Sequence, residues 1–236
     1  MCGRFAAAIA PGRLVRFFDA IDWEQEQEDR WRPNYNVAPT QMVLVVRERG
    51  GQRTLEALRW GLVPPWADDL SIGTRMINAR SETVTEKRSY SRPFATRRCL
   101  VPIDGFYEWQ APERSGPKQP HYVFRGDGEP LAVPGLWESW SGPGHDSVET
   151  FTLLTCAANR TVASIHHRMP VVLSRDRWAT WLDPDEHDTD LLSSFLEPAA
   201  DDLLVHHPVS RDVNSVANNR PDLREPVQLD PPLALF

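Results

Sequence analysis

Short apolar runs, about four to eight residues long, recur along the chain between turn residues. They are rich in Val, Leu, Tyr, Phe and Trp, whose side chains fit the pleated, half-buried surface of a sheet. The runs predict β-strands at residues 42–47, 55–60, 99–102, 105–109, 122–125, 131–137, 150–156, 169–173 and 203–206. Gly50 and Gly51 separate the first two runs, which predicts a β-hairpin at that point.

Helical patterns are fewer. Helices are predicted at residues 11–21, at residues 189–196 and directly after Ser174, whose hydroxyl is placed to act as an N-cap. Residues 81–97 are polar and compatible with a helix that Pro93 would break. Loops are predicted at residues 24–30 and 111–119, and an irregular tail is predicted from residue 221.

Many strands of antiparallel type with few helices favour the α+β class. The expected architecture is a single domain over residues 1–236, with a barrel-like, mostly antiparallel sheet flanked by a few helices. The composition agrees with this fold class, because 41% of the 236 residues are hydrophobic and the nine Trp and nine Phe can fill a core. The 21 Pro disfavour a bundle of long helices.

Several classes of protein and site are not indicated. No apolar run approaches the roughly 20 residues of a membrane-spanning helix, and the N-terminus lacks a secretory signal pattern. The three cysteines form no C-x-x-C pair, and the paired histidines His166-His167 and His206-His207 lack metal-ligand spacing. We therefore expect no metal or cofactor. We also expect a cytoplasmic protein that is a monomer.

The formal net charge of −7 is unevenly distributed. Residues 75–98 contain seven basic and two acidic side chains, a local charge of +5, while the rest of the chain is strongly acidic. A basic surface on an acidic body can still hold a phosphate backbone, because charges act within about a Debye length. The alternative is an ordinary solvated helix face.

Cys2 carries the most distinctive chemistry. Met1 precedes a small residue, so removal of Met1 would leave a thiol and an α-amine on adjacent carbons. The amine has a pKa of about 7.7–8.0 and is partly neutral at physiological pH. Such an aminothiol can form an imine with an aldehyde and then close a thiazolidine, or it can attack acyl groups. Arg4 could lower the thiol pKa or contact phosphate, whereas Cys99 and Cys156 lie in apolar strands and are expected to be inert.

Acid–base candidates are Glu108 and His166. Glu108 stands between two aromatic residues, which would desolvate the carboxylate and raise its pKa. His166 precedes a predicted strand and could transfer protons near neutral pH. If the pair His166-His167 is extended, the two rings point to opposite faces and only one enters a site. A surface glutamate and an ordinary histidine are the alternatives.

Binding candidates are Asn78, Arg80 and two tryptophans. Asn78 and Arg80 share a face of an extended segment, where they could offer an amide and a guanidinium to one ligand. Trp60 and Trp66 flank a rigid turn and could stack on unpaired bases. Burial in the core is the alternative for both, and we expect it for Trp60 more than for Trp66.

Six motifs, in order, resemble the SOS-response-associated peptidase (SRAP) family. They are CGRF at residues 2–5, YNVAPT at 35–40, WGLVP at 60–64, NARSE at 78–82, PIDGFYEW at 102–109 and HHRMP at 166–170. Residues 213–215 and 218–219 also match the end of the family pattern. The resemblance implies a single α+β domain that binds single-stranded DNA, including junctions with duplex, and that associates with the nucleoid when bound to DNA.

The same resemblance implies roles for individual residues. Cys2 would crosslink to abasic sites, Asn78 would contact the abasic sugar and its phosphate, and Glu108 and His166 would perform the acid–base work. The implied DNA contacts are Arg4, Asn36, Trp66, Arg80 and Arg168. The expected function is an enzyme that senses abasic sites in single-stranded DNA and shields each lesion as a thiazolidine crosslink. A thiol peptidase acting through Cys2 is the alternative, and a DNA-binding module without chemistry is a third.

Overall fold

The computed structural model describes residues 2–21, 31–112, 115–142 and 146–229. The strands in these ranges are β1 (Phe5–Ala7), β2 (Asn34–Val37), β3 (Met42–Arg49), β4 (Gln52–Trp60), β5 (Asn78–Arg80), β6 (Arg98–Ile103), β7 (Gly105–Gln110), β8 (Gln119–Arg125), β9 (Leu131–Trp140), β10 (Val148–Ala157), β11 (Arg168–Pro170) and β12 (Leu204–Pro208). No described helix is long and apolar enough to span a membrane.

The helices are short. The α-helices are Pro11–Phe18, Ser91–Thr96, Arg160–Ala163, Trp178–Leu182 and Thr189–Ser194, and the 3₁₀ helices are Leu70–Arg75, Ser81–Thr83, Arg175–Arg177, Arg211–Asn214 and Pro221–Arg224. The first helix begins with proline at its first position, buries Leu14 and Phe18, and ends at Asp19 in the left-handed region with φ of 51°. It therefore covers the core with one apolar stripe.

Five strands close into a barrel in the order β9, β10, β4, β3 and β6, with β6 pairing back to β9. Only the β10–β4 contact is parallel within this ring; the other pairs are antiparallel. The ten-residue strand β10 extends beyond β4 and pairs there with β5 and β11. The predicted α+β domain with a barrel-like, mostly antiparallel sheet is confirmed, while its bounds at residues 1 and 236 remain a prediction.

A second, fully antiparallel sheet has the order β12, β8, β7, β1 and β2. One face packs Phe5 and Phe106 into the main core. The opposite face packs Tyr107 and Tyr122 against the C-terminal segment. Strand β1 therefore contacts the main core through one face and the C-terminal segment through the other.

Most local predictions agree with the structure, and the exceptions have physical causes. The hairpin is confirmed, with both Gly50 and Gly51 at positive φ, as a two-residue turn of type I′ requires. Pro93 does not break a helix, because it occupies the third position of helix Ser91–Thr96, where its missing N–H is not needed. The strand predicted at 169–173 ends at Pro170, since Leu173 bonds instead to Ala132 of β9.

Three further predictions concern a helix start, the C-terminal tail and a loop. Ser174 does precede a helical segment, but its side chain makes no capping hydrogen bond, and the segment begins as the 3₁₀ helix Arg175–Arg177 before helix Trp178–Leu182. The tail predicted to be irregular contains a 3₁₀ turn at Pro221–Arg224. The loop predicted at residues 24–30 lies outside the described residues.

Candidate functional site

The first residues of the chain meet the end of strand β7. Strands β1 and β7 run antiparallel with Phe5 opposite Phe106, so residues before Phe5 lie beside residues after Phe106. The backbone N–H of Tyr107 donates to the carbonyl of Arg4 at 2.9 Å, which continues this pairing. The register brings Cys2 close to Glu108.

Cys2 is fully buried, with 0% of its surface exposed. Burial raises the pKa of its thiol, and the negative charge of Glu108 raises it further. The predicted lowering of the thiol pKa by Arg4 is therefore wrong, because the Arg4 guanidinium is engaged elsewhere. Its Nη1 donates to Asn36 Oδ1 and to the carbonyl of Val213, both at 2.7 Å.

Glu108 faces the same buried space from β7 and is 2% exposed. Burial raises the pKa of this carboxyl, in the direction that its two aromatic neighbours predicted. Its Oε1 lies 3.9 Å from Nδ1 of His166. The two predicted acid–base groups therefore form a pair.

His166 lies in a turn that follows helix Arg160–Ala163, and its backbone N–H donates to Val162 O at 2.9 Å. Its Nδ1 lies 3.0 Å from the backbone nitrogen of Arg168, whose N–H it accepts when unprotonated, and 3.2 Å from the carbonyl of Arg168, to which it donates when protonated. Burial lowers the His166 pKa. The rings of His166 and His167 stack at 4.3 Å, so the expectation of opposite faces is wrong: the segment is a turn rather than an extended strand.

Asn78, the first residue of β5, lies on the other side of Cys2. Its Nδ2 donates to the Cys2 carbonyl at 2.8 Å and fixes the N-terminal segment. Its Oδ1 is buried and accepts no hydrogen bond from any residue that the structure describes. A buried acceptor without a partner is costly in a finished protein interior and is typical of a site awaiting a ligand.

Four of the five predicted DNA-contact residues lie near this cluster, in contrasting environments. Arg80 is exposed on β5. Asn36 is 1% exposed, and its amide donates to the carbonyls of Val213, Ser215 and Asn218. Arg168 is 8% exposed; it is paired with Glu82 and donates to Thr155 O at 2.7 Å. The Nε atoms of Arg4 and Arg168 are buried without a partner among the described residues.

Trp66 and Trp60 have the environments that the sequence favoured. Trp60 is buried and donates from its indole to Ile77 O at 2.9 Å, whereas Trp66 is 49% exposed. Trp66 borders a hollow of about 270 Å³ with Pro64 and Arg92, and the Arg88 guanidinium lies 5.3 Å from the centroid of its ring. The hollow offers an apolar ring face beside positive charge.

A sequence model of the SOS response associated peptidase (SRAP) family matches residues 1–216. The chain belongs to this family. Abasic site processing protein YoqW of Bacillus subtilis is 40% identical over 227 residues, which cover 95% of this chain and 99% of YoqW. Abasic site processing protein HMCES of Gallus gallus is 34% identical over 271 aligned positions, covering 98% of this chain and 80% of HMCES. A crystal structure of a Bacteroides thetaiotaomicron protein has the same fold, with a TM-score of 0.86 at 22% identity, and covers 96% of this chain and 100% of that one.

The basic surface of this SRAP chain is smaller than the sequence suggested. The side chains of Arg75, Arg80, Lys87, Arg88 and Arg92 are exposed. Arg97 is paired with Glu138, and Arg98 is buried with 4% exposure. The expectation that all seven basic residues of 75–98 contribute to one surface is wrong for these two.

Sequence reasoning missed the residues that fix the SRAP side chains in place. Glu82 and Thr155 orient Arg168, and the carbonyl of Val213 receives both Arg4 and Asn36. Glu82 was the last residue of the NARSE motif, which was its only signal. Among the described residues, no group of three or more His, Cys, Asp or Glu side chains could hold a metal ion.

Proposed function

We infer that this chain captures abasic sites in single-stranded DNA through a covalent thiazolidine formed by the α-amine and thiol of Cys2. The observation that carries the inference is the convergence of Cys2, Asn78, Glu108 and His166 in one cluster, in which Cys2 and Glu108 are buried and the other two are half-buried. The cluster offers a nucleophile, an orienting amide and a proton-transfer pair. The SRAP relatives named as abasic site processing proteins support the same class of substrate.

The first step opens the sugar ring, because an abasic deoxyribose is mostly a closed hemiacetal. The C1′ hydroxyl loses its proton, the bond from C1′ to the ring oxygen breaks, and the ring oxygen gains a proton. The Glu108–His166 pair supplies the acid and the base for this exchange, with His166 as the donor to the ring oxygen. The unpartnered Oδ1 of Asn78 is available to accept a hydrogen bond from the sugar or from the Cys2 amine.

The second step joins Cys2 to the aldehyde. The neutral amine adds to C1′, water leaves, and an imine forms while Glu108 moves the protons. The thiol then adds to the imine carbon and its proton passes to the nitrogen, so the net change is the loss of one water. Because burial and Glu108 raise the thiol pKa, the amine reacts first, and the positive iminium then favours ionisation of the thiol. Ring closure removes the imine that would otherwise permit strand cleavage by β-elimination.

The DNA strand lies over the mouth of the cluster in this proposal. Arg80, Arg4 and Arg168 supply the positive charge that holds phosphates, and the exposed Trp66 stacks on an unpaired base. Asn36 acts indirectly: its Oδ1 fixes the Arg4 guanidinium from below. We propose that the strand comes from a single-stranded region or from a junction with duplex, and that the reaction requires no cofactor.

A denaturing gel tests the proposal with an oligonucleotide that carries one abasic site. Removal of Met1 is first verified by mass spectrometry. We expect a heat-stable shifted band with the wild type and with Cys156→Ala, whose thiol is also buried, and no such band with Cys2→Ala or with undamaged DNA. Absence of the band with the processed wild type would overturn the proposal.

The same experiment separates the alternatives. A thiol peptidase would require an ionised thiol, and the raised pKa of Cys2 disfavours one in the resting protein. Cleavage of a peptide library that depends on Cys2, without a DNA crosslink, would favour the peptidase. Retention of DNA under native conditions alone, unchanged by Cys2→Ala, would favour a binding module without chemistry.

A further inference from the structure

The turn that carries His166 is tied to the strand that carries Glu108. Gln110 follows Glu108 by two positions on β7, and its Nε2 donates to the carbonyl of Ser164 at 2.9 Å. Ser164 stands two positions before His166. One strand therefore bears the carboxylate of the acid–base pair and also anchors the segment that bears the imidazole.

We call the hydrogen bond from Gln110 to Ser164 the tether. The Gln110 amide also contacts two histidines that have no role in the proposed chemistry. Oε1 of Gln110 lies 3.2 Å from Nε2 of His121, and Nδ1 of His121 lies 3.2 Å from Nδ1 of His206. Nε2 of His206 lies 3.5 Å from the hydroxyl of Ser164, but that hydroxyl donates its proton to the carbonyl of Thr161 at 2.9 Å, so His206 approaches the same turn without a hydrogen bond to Ser164. His121 is also the cross-strand partner of Glu108 in the β7–β8 register.

The donor and the acceptor of each hydrogen bond in this side-chain network follow from the Ser164 carbonyl. The carbonyl of Ser164 can only accept, so the amide of Gln110 turns its Nε2 toward Ser164 and its Oε1 toward His121. His121 must then donate from Nε2, and its unprotonated Nδ1 accepts from Nδ1–H of His206. Both rings are neutral in this arrangement, which agrees with burial lowering the pKa of His121 to about 4 and also lowering that of His206.

We propose that Gln110 is a positioning residue that holds His166 at its working distance from Glu108, with His121 and His206 fixing the orientation of the Gln110 amide. The proposal rests on the proposed function, because it assigns the tether to the acid–base pair of that reaction. Loss of the tether releases the turn at residues 164–167 and moves the imidazole, and misplacement on the scale of 1 Å slows a reaction by up to about a hundredfold.

The test compares Gln110→Ala and Gln110→Glu with Gln119→Ala. Gln119 is the cross-strand partner of Gln110 and also a half-buried amide, but it donates to Val209 and Pro120 instead of the turn. Gln110→Glu keeps the size and the acceptor toward His121, replaces the donor toward Ser164 by a second acceptor, and adds a negative charge. Crosslinking is followed under single turnover over a range of DNA concentrations.

We expect both Gln110 variants to lower the maximal rate on the order of tenfold with little change in the half-saturating DNA concentration, and Gln119→Ala to leave both unchanged. Equal maximal rates for Gln110→Ala and Gln119→Ala would overturn the proposal. Unfolding curves of all variants, measured in parallel, show whether the active fraction is the same.

An NMR titration of the histidine rings measures the pKa of His166 in the absence of DNA and so tests the tether independently of the reaction. The His166 signals are assigned by their loss in His166→Gln. In Gln110→Ala, we expect the pKa of His166 to move up toward the ordinary value of 6.5, because the released ring gains solvent, and we expect no change in Gln119→Ala. A wild type that forms no crosslink would contradict the proposed function alone, and the titration would still decide the tether. Identical His166 titrations in the two alanine variants would overturn it.

Discussion

Nδ1 of His166 lies 3.9 Å from Oε1 of Glu108, and the pKa values of the two groups are shifted in opposite directions. Burial raises the pKa of Glu108 from its ordinary 4.5 and lowers that of His166 from its ordinary 6.5. Burial thus disfavours the charged form of both groups, the carboxylate and the imidazolium. Because the groups are close, their titration belongs to the pair rather than to either residue.

This relationship predicts a plateau in the pH dependence of crosslinking. Below the amine pKa of about 7.7–8.0, each lower pH unit reduces the neutral amine about tenfold and increases the protonated pair about tenfold, so the two effects cancel. The cancellation ends at the apparent pKa of the Glu108–His166 pair. We expect the rate to fall below that value and again above the amine pKa.

Single-turnover rates from about pH 4 to about pH 9 test this prediction. His166→Gln removes the acid that we assign to ring opening, and its rate should instead rise with pH until the amine is neutral. A wild-type rate that rises steadily through neutral pH, as in the variant, would contradict the assignment of acid catalysis to His166.

Glu108→Gln should stabilise the fold while it slows crosslinking. A raised pKa means that the folded state holds this proton more tightly than the unfolded state does, so the wild type loses stability as pH rises from 4.5 through the folded pKa. The glutamine has no proton to lose. We expect Glu108→Gln to be no more stable than the wild type in acid. The difference in stability should reach its maximum above the folded pKa of Glu108. Each kcal/mol of that difference should raise the melting temperature on the order of 2–4 °C. Melting curves at several pH values check this, and an advantage that does not vary with pH would argue against it.

The sequence was informative where chemistry and local geometry coincide. The glycine pair gave the hairpin, and Glu108 between two aromatic residues gave both the acid–base candidate and the direction of its pKa shift. Side chains whose partners are main-chain atoms distant in sequence could not be placed. Asn36 is buried because carbonyls at residues 213–218 fold beneath it, and nothing near position 36 encodes that contact.

Arg98 illustrates the same limit and predicts a large effect on stability. All five N–H groups of its guanidinium donate to main-chain carbonyls, which belong to Phe94, Ala95, Trp181, Asp183 and Glu186. These carbonyls lie at and after the ends of helices Ser91–Thr96 and Trp178–Leu182, so one side chain joins two helices.

Arg98→Lys keeps the charge and offers only three donors, so buried carbonyls lose their partners. We expect a loss on the order of 3 kcal/mol in unfolding free energy by urea denaturation. Arg88→Lys, at an exposed arginine of the same segment, is the control and should stay within about 0.5 kcal/mol of the wild type. Equal stability of the two variants would show that the Arg98 network contributes little.

Arg80 and Arg88 should determine the salt dependence of DNA binding. Both are exposed in the basic segment, and each phosphate that a cation neutralises releases counterions, which contributes about 0.7 to the slope of log affinity against log salt for a single strand. In a Cys2→Ala background on undamaged single-stranded DNA, which offers no aldehyde, Arg80→Ala and Arg88→Ala should each reduce that slope by about this amount. Arg16→Ala, an exposed arginine on helix Pro11–Phe18 beyond the far end of β1, is the control and should leave the slope unchanged. Equal slopes for all three variants in fluorescence anisotropy titrations would place the DNA on another surface.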